Sequence, residues 1–138
     1  MPSSSQVAAI PVRRQDDGKL EVLLVTSRET RRWIVPKGWP WPEVSDHEAA
    51  AAEAWEEGGV RGRILPDKLG TFSYDKRRDG ILLTVDVVVY VLEVTEEEHT
   101  WPEMEERQRA WFSPAAAAKA VMEPELKALL HTLEASTR

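Results

Sequence analysis

Residues 36–59 leave the backbone few choices. Pro36 closes a short apolar run, Trp33-Ile34-Val35, and Pro40 and Pro42 exclude a helix through the loop Lys37-Gly38-Trp39-Pro40-Trp41-Pro42. Ser45 then precedes Asp46-His47-Glu48, which is the spacing of a capping box, and the alanine-rich run that follows has high helix propensity. Gly58-Gly59 stops that helix. The expected order is therefore strand, stiff loop, helix. On the helix, Glu53, Glu56 and Glu57 fall at i, i+3 and i+4, so three carboxylates share one face. Each such like-charge pair costs roughly 0.2–0.5 kcal/mol unless a cation or a solvated surface absorbs the charge. A divalent metal site is the sharper of those two readings.

The remaining chain reads as alternating strands and turns. Runs 6–13 and 20–28 flank Asp17-Gly18, a hairpin signal. Runs 60–64 and 68–74 read as strands, and 80–94, rich in Val, Leu, Ile and Tyr, as a central strand covered on both faces. Residues 75–80 read as a charged hairpin loop and 96–108 as a polar loop, followed by a short strand at 110–112. Ser113-Pro114 opens a helix with proline at its first position, and Pro124 divides the C-terminal part into 114–121 and 124–135.

At 138 residues the expectation is a loose tail over 1–5 and a single domain over 6–138. A net charge of −6 argues against nucleic acid as the main partner, while leaving room for a small anion where basic residues gather. The absence of cysteine excludes disulfides and zinc–thiolate sites. No run approaches the ~18 apolar residues of a membrane span, and the first residues do not read as a signal peptide. The expectation is a cytoplasmic protein with no membrane partner.

The order strand, glycine-containing loop, and helix ending in Glu-x-x-Glu-Glu-x-Gly-apolar resembles the Nudix hydrolases, whose pattern is G-x5-E-x7-R-E-U-x-E-E-x-G-U with U apolar. Gly38, Glu53, Glu56, Glu57, Gly59 and Val60 match in an ungapped register, and Ala54 stands in for the first apolar position. Val44 replaces the pattern's first glutamate and Ala52 its arginine. The resemblance implies an α/β/α sandwich with a mixed β-sheet between helices. It also implies a pyrophosphohydrolase that uses Mg2+ or Mn2+ held by the helix glutamates. Glu53 and Glu57 are the first ligand candidates, Glu56 the third ligand or the base that orients water, and the Lys37 carbonyl an additional ligand. Hard divalent cations favour such oxygen donors, and magnesium completes its shell with water and phosphate oxygens.

Two flanking segments, 26–38 and 101–112, resemble the subgroup acting on diadenosine polyphosphates and diphosphoinositol polyphosphates. That resemblance implies substrate contacts from Ser27 and Arg28, from Arg77 or Arg78, and from Arg107 and Arg109. Arginine suits the task because its planar fork grips phosphate oxygens in pairs. Glu96 to Glu98 and Glu103 are candidates for an extra carboxylate from a late loop, and Trp33, Trp39 and Trp41 for stacking a base. A nucleoside triphosphate or nucleotide-sugar pyrophosphatase, and a catalytically weakened nucleotide-binding module, remain alternatives.

Overall fold

The computed structural model describes residues 5–135. Of the expected tail, residues 1–4 lie outside the described residues, and Ser5 already begins a strand. That strand, β1 (Ser5–Arg14), turns back into β2 (Leu20–Thr26) with Val12 opposite Val22, the expected hairpin. β2 also pairs with β3 (Trp33–Ile34) and with β8 (Arg109–Phe112). The loop after Pro36 is not wholly irregular. Its first two residues form β4 (Lys37–Gly38), which pairs with Val7 and Ala8 of β1. The longest strand, β7 (Ile81–Glu97), runs parallel to β1 and antiparallel to both β5 (Val60–Ile64) and β6 (Gly70–Arg78). One parallel pairing among antiparallel ones makes the eight-stranded sheet mixed.

Alternation along the strands sorts the core into two layers. Val7 and Ala9 of β1 and Leu23 of β2 join Ala49, Ala50 and Ala54 of α1 (Asp46–Gly58) on one face. Ala8, Ile10 and Val12, with Val22 and Leu24, join Ala117 of α2 (Pro114–Ala120) and Leu126 and Leu130 of α3 (Pro124–Ala135) on the other. This is the expected α/β/α sandwich. The alanines of α1 bring its backbone close to the sheet. Ser45 caps the helix by accepting from the Glu48 N–H, and Gly59 closes it at φ 68°.

Two stretches differ from the sequence expectation. The charged loop assigned to 75–80 is strand through Arg78, because its backbone ladder with residues 81–84 continues to a two-residue turn. Asp79 and Gly80 sit there at φ 52° and 77°, the left-handed pair that matches hairpin twist. The strand read as doubly covered has its buried residues only in its middle, at Val85, Val87, Val89, Tyr90 and Leu92, with Asp86 exposed among them. Ile81, Leu82 and Leu83 are 61%, 56% and 43% exposed, because the β6–β7 arm extends past the layer of helices.

Candidate active site

The C-terminal end of α1 is held by the loop that follows β7. A helix leaves its last carbonyls without partners, and here the loop supplies them. The Glu103 N–H donates to Glu56 O at 3.0 Å, Trp101 Nε1 to Glu57 O at 3.1 Å, and Arg109 Nη1 to Gly58 O at 2.9 Å. Gly59 lies under this cover. Besides its positive φ, a Cβ there would fall 2.6 Å from Arg109 Nη1 and 2.7 Å from the Trp101 ring. The stitching carries Glu103 to the end of α1 that bears Glu57.

Glu53, Glu57 and Glu103 border one cleft of about 560 Å3, a volume typical of small-molecule sites. Gly38 forms part of its wall, where a Cβ would meet the Glu53 carboxylate at 2.5–2.7 Å, so close approach requires glycine. Glu57 is 5% exposed and Glu53 8%. The Lys37 N–H donates to Glu57 Oε1 at 3.3 Å, and Arg107 Nη2 faces Glu57 Oε2 at 3.5 Å. Burial pushes the Glu57 carboxyl up to about 8, with Arg107 pulling it back and Glu53 pushing it further. Burial also raises Glu53, and Glu56 adds to that. Two buried carboxyls side by side each make it harder for the other to ionise.

The cations around this cleft come from several elements. Burial lowers the Lys37 ammonium to about 8 against the pull of Glu57, and its Nζ lies 4.8 Å from the centre of the Tyr74 ring. Lys76 Nζ lies 5.7 Å from the Trp39 ring centre, and Trp39 and Trp41 form an exposed part of the wall. Arg28 also lines the cleft and pairs with Glu106 at 3.3 Å.

Of the remaining sequence candidates, Arg107 alone lines the cleft. The Glu56 side chain is half-buried and is not among the residues lining the cleft. Ser27 Oγ pairs with Thr30 Oγ1 at 2.6 Å and accepts the Arg32 N–H, which braces its own turn. Arg77 and Arg78 are exposed on the β6–β7 arm. Arg107 is buried in the cleft wall, and Arg109 caps α1. The side chains of Lys37, Lys76 and Tyr74 were not singled out from sequence. Strand periodicity would have found Lys76, which shares a face of β6 with Tyr74. Val44 packs against the α1 core layer in place of the pattern's glutamate.

The donor set suits a hard divalent cation, since carboxylate oxygens predominate. Among the described residues no three Asp, Glu or His side chains are arranged to hold a metal ion by themselves. A magnesium ion there would need water and phosphate oxygens for the rest of its shell.

The sequence and the site can be set beside known proteins. The NUDIX domain family model matches residues 4–133. The chain belongs to the Nudix family. It is 39% identical over 94 residues to Nudix hydrolase 4 of Arabidopsis thaliana, covering 68% of this chain and 44% of that protein. It is 40% identical over 104 residues to diphosphoinositol polyphosphate phosphohydrolase 3-beta of Homo sapiens, covering 73% and 60%. The chain spans about half the length of the curated relatives it matches. Among solved structures, C. elegans Ap4A hydrolase superposes with a TM-score of 0.68 at 20% identity, over 99% of this chain and 100% of that one. The NUDIX domain of Shewanella oneidensis NrtR, complexed with ADP ribose, superposes at 0.72 and 16% identity over 100% and 90%. These two structures share the fold. No helix among the described residues is long and apolar enough to cross a membrane.

A test of the cleft's geometry follows from Gly38. Gly38→Ala would displace only the end of the Glu53 side chain, so stability should change by less than about 1 kcal/mol. Any turnover that depends on Glu53 should nevertheless fall by about tenfold or more, because the carboxylate leaves its place. Urea denaturation beside initial rates checks both halves.

Proposed function

We propose that the chain, as one domain over 6–138, hydrolyses a pyrophosphate bond in a small polyphosphate with the help of Mg2+ or Mn2+. The carrying observation is the buried pair Glu53 and Glu57 at a cleft bordered by Lys37, Arg28 and Lys76. Glu53 and Glu57 would hold the cation, with the Lys37 carbonyl as a further ligand; Glu56, whose side chain is outside the cleft lining, would have to turn toward it to act as third ligand or as the base that orients water. Bound there, the cation would supply an activated water and neutralise charge on the phosphoryl oxygens. The chain's own part is to keep the Glu53 and Glu57 carboxyls close together at the cleft and to place ammonium and guanidinium groups on phosphate oxygens. Arg28 would grip phosphate at the cleft, and Arg77 and Arg78 would reach the far end of a long substrate from the arm.

Diadenosine polyphosphates are the preferred substrate and diphosphoinositol polyphosphates the next, with a cytoplasmic setting. The diphosphoinositol enzyme among the relatives and the Ap4A hydrolase among the structures support this choice. Product analysis across a panel with Mg2+ and with Mn2+ is expected to show cleavage of these compounds above nucleoside triphosphates and nucleotide sugars. Comparable turnover of triphosphates with none of the dinucleosides would overturn the substrate choice. A nucleotide-binding module is the second reading, favoured by Ala52 and by a neighbour complexed with ADP ribose. It predicts ligand binding without metal-stimulated cleavage.

A further inference from the structure

Arg107 is 8% exposed, and all three of its guanidinium nitrogens face protein. Nη1 donates to Thr26 O at 3.1 Å, Nε donates to Glu103 Oε1 at 2.7 Å, and Nη2 meets Glu57 Oε2 at 3.5 Å. Thr26 is itself fixed. It donates its N–H to Gln108 O at 3.0 Å and accepts the Gln108 N–H through Oγ1 at 2.9 Å. The guanidinium is therefore located by sheet backbone, independently of the helix glutamates.

Its two carboxylate contacts are unequal. The Glu103 contact is a charge-assisted hydrogen bond of ordinary length, whereas 3.5 Å to Glu57 is an ion pair beyond good hydrogen-bond distance. α1 carries no lysine or arginine of its own, so cations reach its carboxylates only from other elements. Lys37 is one, its ammonium attracted by Glu57, and its neutral backbone N–H donates to the other oxygen of Glu57. Glu57 is thus held from two directions, from β4 and from the late loop.

We propose that Arg107 is a positioning residue: anchored by Thr26 and Glu103, it holds the Glu57 carboxylate in register and yields that contact when a divalent cation takes the oxygen. The idea rests on the metal-dependent reading of the cleft. It withdraws Arg107 from the groups that grip substrate, since its nitrogens are turned to protein. With its bonds to Glu103 and Thr26, Arg107 would stay in place if Glu57 turned to a cation.

Arg107→Lys tests this, because the charge stays while the fork is lost. Partners of this kind typically change metal affinity or activity by about 10- to 100-fold when altered. Mn2+ affinity of the free protein, read by calorimetry, should fall by about tenfold, and kcat should fall similarly, with KM shifting less than about threefold. Arg107→Gln, which keeps donors without charge, should show the same split and serves if the lysine variant does not fold. A raised KM at parental kcat would make Arg107 a substrate-gripping residue and overturn the proposal. So would a lowered thermal midpoint with kcat, KM and Mn2+ affinity all unchanged. An unaltered chain that neither binds Mn2+ nor cleaves any of the panel would instead overturn the function itself, and the positioning role with it.

Discussion

Glu57→Gln is expected to cut metal-dependent turnover by about a hundredfold to a thousandfold, the equivalent of several kcal/mol of transition-state stabilisation. The same change should make the metal-free protein more stable near pH 8. Burial raises the Glu57 carboxyl from 4.5 to about 8, so between those values the folded chain holds a proton that the unfolded chain has released. Stability then falls as pH rises through that window, because the native state binds more protons. Glutamine has no proton to lose, and the fall should shrink. Lys37 works the other way at higher pH. Its lowering from 10.5 to about 8 makes the unfolded chain the better proton binder above pH 8, so its contribution to stability rises there. A divalent cation that binds only the folded chain should restore the parent's stability near pH 8 and leave the variant's little changed. Denaturant titrations in chelator and in Mn2+, at several pH values up to about 8, read both effects. Parental turnover in the variant would remove Glu57 from the metal site.

What could be read in advance follows the range of the interactions involved. The bounds of α1 were legible because Ser45, Glu48 and Gly59 act within a turn of the residues they cap. The glutamate face was legible for the same reason. The β6–β7 arm was misjudged at both ends. Lys76, Arg77 and Arg78 look like loop residues until they are paired with Leu83, Leu82 and Ile81 across a two-residue turn. Those apolar partners look buried until the arm is seen to outrun the helices. The parallel pairing of β1 with β7 joins segments distant in sequence, and no local signal announces it. The arginines show the limit most clearly. Arg28 and Arg107 both line the cleft, yet Arg28 is exposed beyond its one pairing with Glu106, whereas Arg107, like Arg109, bonds to backbone carbonyls of the protein itself. Carbonyl partners carry no side-chain signature, so a structural arginine and a phosphate-gripping one read alike in sequence.

Arg109→Met should therefore be felt first in stability. Its Nη1 donates to Gly58 O at 2.9 Å and Nη2 to Glu98 O at 2.7 Å, while the guanidinium lies 3.9 Å from the Trp101 ring centre. These contacts put a cation at the negative end of α1 and join that end to both sides of the late loop. Methionine fills some of the volume but leaves two carbonyls without this donor. Hydrogen bonds from charged groups contribute roughly 1.5–3 kcal/mol each, and the exposed edge of the site lets water recover part of that. A net loss of about 2–4 kcal/mol is expected, which lowers the melting temperature by about 10 °C. Turnover should decline with it, because the same loop carries Glu103 and Arg107 to the cleft. Arg109→Lys keeps the charge near the helix end but cannot span Gly58 and Glu98 together, so it should fall between parent and methionine variant. The two variants separate capping from substrate binding. A capping residue shifts the melting temperature with or without substrate, whereas a substrate contact raises KM and leaves the unliganded melting temperature unchanged.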